Sequence, residues 1–204
     1  MKETGLDYSR YFWQGEKVRL RPLRLEDAEA AFIARLDSPS RQALQLGVEL
    51  PASVEAIRSS LEKRVDCKDA DGVIIFTVET HAGENVGGIS LHSRDRKNGV
   101  FGFGVVIDRP HQRKGYAEEA LKILLRYGFR ERRYQKCNSA CVHTNVASIA
   151  LHKKLGFTEE GRSRRRWFYD GQYHDELLFG MTVEEFEAQL GGQSGSVEGS
   201  VRRR

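Results

Sequence analysis

Val105-Val106-Ile107-Asp108-Arg109-Pro110-His111-Gln112-Arg113-Lys114-Gly115-Tyr116-Ala117 is the stretch on which the reading of this 204-residue chain turns. An apolar β run enters a short polar loop, and the loop opens a long amphipathic helix with Ala117, Leu121, Leu124, Leu125 and Phe129 on one side. The first backbone N–H groups of a helix lack internal partners and point outward at the positive end of its dipole, which is an arrangement that binds phosphate. Gly115 lets the backbone approach a ligand and small Ala117 keeps the helix start clear, while Arg109, Arg113 and Lys114 add positive charge. On this stretch alone, a phosphate cradle and a plain connection with a solvated basic loop both stand. Gly102-Phe103-Gly104, just upstream, is not a dinucleotide fingerprint, because no third glycine follows at the right offset and the pair lies inside a strand.

Upstream, Val18–Pro22 alternates as a strand and Glu26–Leu36 carries a helical apolar stripe. Pro39 and Pro51 bracket an irregular stretch, and Ser53 caps a second helix bearing Ile57, Leu61 and Val65. Strands follow over Val73–Thr80 and Val86–His92, and Asn98-Gly99 turns the chain into Val100–Ile107. Downstream, the long helix covers Gly115–Arg132, followed by a strand over Cys137–His143 and a helix over Val146–Leu155 that Gly156 ends. Asp170-Gly171 makes a hairpin between Phe168-Tyr169 and Gln172-Tyr173, and Thr182 with Glu185 forms a capping box opening a helix over Val183–Leu190. This order predicts an α/β (α+β) domain over residues 1–190 with a mixed sheet rather than a regular βαβ alternation. Residues 191–204, rich in Gly and Ser, read as a flexible basic tail.

Hydrophobic residues at 39% and charged residues at 30% fit an ordinary globular protein of one domain. The N-terminal stretch lacks the apolar run of a signal peptide, and Val73-Ile74-Ile75-Phe76 is too short to span a bilayer, so no membrane role is expected. Cys67, Cys137 and Cys141 are odd in number and unpaired in pattern, which predicts reduced thiols and a cytoplasmic setting. Cys137, Cys141 and His143 lie along one strand, without the tight paired spacing of a structural zinc site, so no metal is expected. The net charge is +4, and the segment from Gly191 onward, with Arg202, Arg203, Arg204 and Glu198, carries half of that excess. What remains is too small to make a nucleic-acid binder the first reading.

Gln112-Arg113-Lys114-Gly115-Tyr116-Ala117 resembles the Q/R-x-x-G-x-G/A signature of the GCN5-related N-acetyltransferase (GNAT) superfamily. Asn145 to Phe157 resembles that superfamily's N-x-x-[AS]-x-x-[LF]-[YH]-x-[KR]-x-G-F segment. Val18–Leu23 with Glu26-Asp27, and Glu160-Gly161, Gly171-Gln172-Tyr173 and Asp175, are similar to the opening and closing elements of its ribosomal-protein alanine and spermidine acetyltransferase branches. The resemblance implies a mostly antiparallel sheet of about seven strands, splayed in the middle and flanked by about four helices. It implies acetyl transfer from acetyl-coenzyme A (acetyl-CoA) to a primary amine by direct attack, and it leaves room for a homodimer. Backbone groups of Val105, Val106 and Ile107 would hold the pantetheine arm. Gln112, Arg113, Lys114, Gly115, Tyr116 and Ala117, with Glu118 at the end, would hold the pyrophosphate, and Asn145, supported by Ser148, would bond the pantetheine or the emerging thiol region.

The chain departs from its relatives in two places. His152 stands where many carry a tyrosine proposed to protonate the departing thiolate, so His152 is the candidate acid; packing against the cofactor is the alternative. Gly102 stands where many carry a glutamate that serves as base, which leaves Glu79, His92, His111 and Asp175 as candidates for moving the amine's proton. The run Arg162-Ser163-Arg164-Arg165-Arg166 fits either an anionic acceptor or partner, or a solvated connection. By like-charge repulsion it argues against a polycationic acceptor. An acyl-CoA-binding sensor without turnover is the rival reading from another class.

Overall fold

The computed structural model describes residues 10–44, 47–65 and 72–194, so Cys67 and the basic tail from residue 195 lie outside the described residues. Its strands are β1 (Val18–Pro22), β2 (Ile74–Thr80), β3 (Asn85–Asp95), β4 (Val100–Ile107), β5 (Lys136–Val142), β6 (Thr158–Tyr169) and β7 (Gln172–Thr182). They form one seven-stranded sheet in the order β1-β2-β3-β4-β5-β7-β6. Every neighbouring pair is antiparallel except β4 and β5, which are parallel and meet only at Val100↔Lys136, Phe101↔Cys137 and Gly102↔Asn138. Beyond Gly102 the two strands part, and Phe103–Ile107, still paired with β3 on one edge, faces an open wedge on the edge toward β5.

Alternation along the strands gives the sheet one apolar face. Leu20, Val78, Ile89, Leu91, Phe101 and Phe179 lie there, each at most 2% exposed. Three helices cover it: α4 (Tyr116–Arg126), α5 (Val146–Lys154) and α6 (Val183–Ser194). Helix α4 contributes buried Leu121, Leu124 and Leu125, each worth about 1.5–3 kcal/mol of burial. It then loosens into a π turn over Tyr127–Glu131, where Arg132 N–H bonds Tyr127 O across five residues. Helix α6 opens with the expected capping box between Thr182 and Glu185 and runs to Ser194, four residues past the expected end.

A smaller core of Ala28, Ile57 and Leu61 joins α1 (Ala28–Arg35) to α3 (Val54–Val65). Asp27 ties this unit to the sheet, accepting from Arg21 at 2.9 and 2.7 Å, from Thr77 Oγ1 at 3.0 Å and from Asn85 Nδ2 at 2.9 Å. Glu79 accepts from Arg19 and Arg21 at 2.5 Å each. Burial alone would raise both carboxyls, but the arginine hydrogen bonds outweigh it and hold them below the usual range. Between these helices, the stretch expected to be irregular forms α2 (Ser38–Ala43). Asp37 caps it by accepting from Ser40 N–H, and Pro39 sits in the first turn, where a missing N–H costs nothing.

Candidate active site

Because β4 and β5 are parallel, the helices that follow them, α4 and α5, start at the same end of the wedge. Gly115, at φ +84°, is the N-cap of α4, and a Cβ there would sit 3.0 Å from Lys17 Nζ. Lys17 itself donates to Lys114 O at 3.2 Å. It is brought there by Glu119, whose carboxylate accepts the consecutive N–H groups of Glu16, Lys17 and Val18 at 2.6, 2.8 and 2.8 Å. The left-handed turn and the close approach suit an anion against backbone N–H, with Lys17 beside it. Sequence reasoning missed Lys17 and Glu119, since their meeting depends on β1 running past the first turn of α4.

The remaining loop residues divide by task. Arg113 and Lys114 are exposed and form no ion pair among the described residues, so their charges face solvent. Gln112 donates to Ile107 O at 2.9 Å and closes the loop on its own strand. Arg109 makes a two-pronged pair with Asp37, at 2.9 and 2.7 Å, that locks the loop to α2. Glu118 accepts from Lys154 at 2.6 Å and Lys122 at 3.0 Å, and these lysines hold its carboxyl low. That carboxylate therefore joins α4 to α5. Tyr116 and Ala117 pack partly into the core, and Val105, Val106 and Ile107 border the wedge. At the other helix start, Asn145 caps α5 by accepting from Ser148 N–H at 3.0 Å and donates to Ala43 O at 3.1 Å.

His152 sits at the first unpaired rung of the wedge, on the helix-covered face. It is 2% exposed and stacks on Phe179 at 4.4 Å, with Phe157 at 5.2 Å and Phe103 at 5.7 Å. Its Nδ1 lies 2.7 Å from Ser148 O; a carbonyl only accepts, so Nδ1 carries the proton. Nε2, 2.9 Å from Ser139 Oγ, then accepts from that hydroxyl in the neutral ring. Burial lowers the imidazole's pKa from 6.5, keeping the neutral form. With both nitrogens engaged, the ring has no N–H directed at a leaving thiolate.

Among the candidates for proton removal, Glu79 is committed to two arginines, and Asp175 accepts from Arg165 N–H at 2.7 Å and from Arg162 at 2.6 Å. His111 stands in the turn after β4, 3.8 Å from Glu84. His92 lies opposite Gly102 in the β3–β4 register, at the vertex of the wedge. Asp175 also organises the arginine run, placing Arg162 against β7, while Arg165 covers the Tyr173 ring at 4.5 Å. Cys137 and Cys141 are buried thiols, and burial pushes both pKa values up.

No helix among the described residues is long and apolar enough to cross a membrane. An acetyltransferase (GNAT) domain model matches residues 17–158. The chain is 36% identical over 182 residues to the SPbeta prophage-derived uncharacterized N-acetyltransferase YokL of Bacillus subtilis (strain 168), covering 88% of this chain and 98% of that one. It is 27% identical over 179 residues to the putative ribosomal N-acetyltransferase YdaF of the same organism, covering 85% and 96%. The crystal structure of spermidine N-acetyltransferase from Vibrio cholerae in complex with CoA and spermine shares the fold at a TM-score of 0.74 and 19% identity, covering 83% of this chain and 98% of that one. Wedge, glycine-capped helix start and sequence matches agree: the chain belongs to the GNAT family of acetyl-CoA-dependent acyltransferases.

Proposed function

We propose that the enzyme acetylates a primary amine, a protein N-terminus or a small-molecule amine, by direct attack with both substrates bound. One arrangement carries this reading: the parallel β4–β5 pair opens after Gly102↔Asn138, and the N-termini of α4 and α5 flank the opening. When bound, acetyl-CoA supplies an acetyl group activated as a thioester. Gly115 and the N–H groups after it hold the pyrophosphate, with Lys17, Arg113 and Lys114 as counter-charges. The free edge of β4 over Val105–Ile107 holds the pantetheine arm, with Asn145 and Ser148 at the facing helix start. Fixed N–H donors along that edge favour the negative charge that develops on the carbonyl oxygen.

On this reading His152 is a positioning residue and not the acid. It spans Phe103 of β4 and Ser139 of β5 where the strands part, and so holds the wedge open. The reading includes a cytoplasmic setting, where Cys137 and Cys141 remain thiols. The test incubates the enzyme and acetyl-CoA with spermidine, an alanine-initiated hexapeptide and tyramine, and detects products by mass. A gain of one acetyl group on any of them supports transfer. Tight acetyl-CoA binding without any acetylated amine would favour a sensor.

A further inference from the structure

His92 lies on the face of the sheet opposite His152, at the last rung before β4 and β5 part. Its register partner is Gly102, and Gly102 pairs in turn with Asn138. A Cβ at Gly102 would stand 3.2 Å from His92 Cε1, 3.3 Å from Nδ1 and 3.2 Å from Asn138 O, so the ring occupies the space a side chain there would need. A Cβ at Gly104 would be 3.8 Å from His92 Nε2. The β3–β4 register shifts just after His92, and Ser93, at φ +49°, turns its Oγ to within 2.9 Å of His92 Nδ1. Bulges of this kind re-aim a side chain beside a site. The ring is half-buried, and Nε2 makes no hydrogen bond among the described residues.

We propose that His92 is the general base, resting on the acetyl-transfer reading above. A side chain from β3 thus does the work for which β4 offers only Gly102. The amine arrives as an ammonium ion and gives one proton to Nε2, directly or through one water. Its nitrogen lone pair then forms the bond to the acetyl carbon, the carbon–sulfur bond breaks, and the electron pair leaves on sulfur. The second nitrogen proton ends on the thiolate, and His92 returns the first to solvent. An imidazole suits this task near neutral pH. Beside the ring stand Ser93 from β3, Gly102 and Gly104 from β4 and the Asn138 carbonyl from β5, and farther along the same face Lys136 of β5 pairs at 2.6 Å with Glu160 of β6, which lies over Gly180. The charged neighbours in sequence are turned elsewhere, Arg94 to Gly72 O at 3.2 Å and Asp95 to Asn98 at 2.6 Å.

The experiment measures transfer to spermidine, the alanine-initiated hexapeptide and tyramine across pH, together with acetyl-CoA affinity by calorimetry and melting temperature. His92→Gln keeps the bulk and removes the base. It is expected to lower kcat about a hundredfold or more and abolish the rise in rate on the acid side, with acetyl-CoA affinity within about threefold of wild type. His92→Ala is expected to regain rate when free imidazole is added. A folded His92→Gln that keeps its rate within about threefold, or loses rate with the pH profile unchanged and no imidazole rescue of His92→Ala, overturns the proposal alone. A wild type that binds acetyl-CoA but acetylates none of the three amines overturns the transfer reading, and the base with it.

Discussion

His152 and His92 occupy the two faces of one sheet at neighbouring rungs, one where β4 and β5 first fail to pair and the other where they last do. His152 belongs to a recognisable motif and is sealed, with both nitrogens bonded and an aromatic ring stacked on it. His92 belongs to no motif and is half-open, with one nitrogen oriented by Ser93 and the other without a partner among the described residues. The contrast shows that motif membership and chemical availability are separate properties. A satisfied, desolvated imidazole holds structure; an oriented imidazole with a free nitrogen can move protons.

The contrast places anion holding at the cradle, apart from both histidines, and the cradle is where the largest effect is expected. Gly115→Glu forces a left-handed turn on a non-glycine residue, crowds Lys17 and places a carboxylate where phosphate belongs. Calorimetry should show acetyl-CoA affinity falling about a hundredfold or more, equivalent to one or two charge-assisted hydrogen bonds at about 1.5–3 kcal/mol each. Near-normal affinity in a folded variant would move the anion site elsewhere.

His152→Gln probes the sealed histidine through stability. It loses the stacking on Phe179 and leaves Ser139 or Ser148 to find new partners, at a cost of about 1–3 kcal/mol. For a chain of this size that lowers the melting temperature by roughly 3–10 °C in calorimetry. An unchanged melting temperature would mean the ring does not brace the strands where they part.

Acid titration of stability probes the sealed histidine more finely. Folding lowers the pKa of His152 from 6.5, so below that value the unfolded chain takes up the proton first. Its stability contribution is complete above about 6.5 and declines as pH falls toward the folded value, by at most about 1.4 kcal/mol per pH unit. Asp27 and Glu79, with pKa values held below the usual carboxylate range, lose their contributions only at lower pH. Denaturant titrations between pH 7.5 and 5 should therefore show a decline that His152→Gln flattens. The smallest effect is expected of Ser93→Ala, a several-fold loss of kcat from a less oriented His92, read in the same transfer assay.

How much of this could be read from the sequence follows from the range of the interactions. Gly115 before an apolar stripe, Thr182 with Glu185, and Asp170-Gly171, both at positive φ, are local signals, and each appears where expected. The sheet order and the wedge came from family resemblance, because pairing of β4 with β5 joins segments separated by a whole helix. Helix α2 was hidden by Pro39, which reads as a breaker unless it falls in a first turn. Nothing local marks Glu119 as the acceptor for three N–H groups about a hundred residues upstream. His92 could be named but not chosen, since its value depends on the register that sets it opposite Gly102.

The central claim, that proton transfer lies with the open histidine and wedge geometry with the sealed one, is tested most directly by pairing two measurements on two variants. Single-turnover acetyl transfer at saturating acetyl-CoA and the melting temperature are determined for His92→Gln and His152→Gln beside wild type. The account predicts a rate loss of about a hundredfold or more with little change in melting temperature for His92→Gln. For His152→Gln it predicts a melting temperature lower by roughly 3–10 °C, weaker acetyl-CoA binding from a disturbed wedge and, with acetyl-CoA saturating, a rate loss of less than about tenfold. The opposite pattern, a hundredfold rate loss in folded His152→Gln and an active His92→Gln, would contradict it and return the proton chemistry to His152.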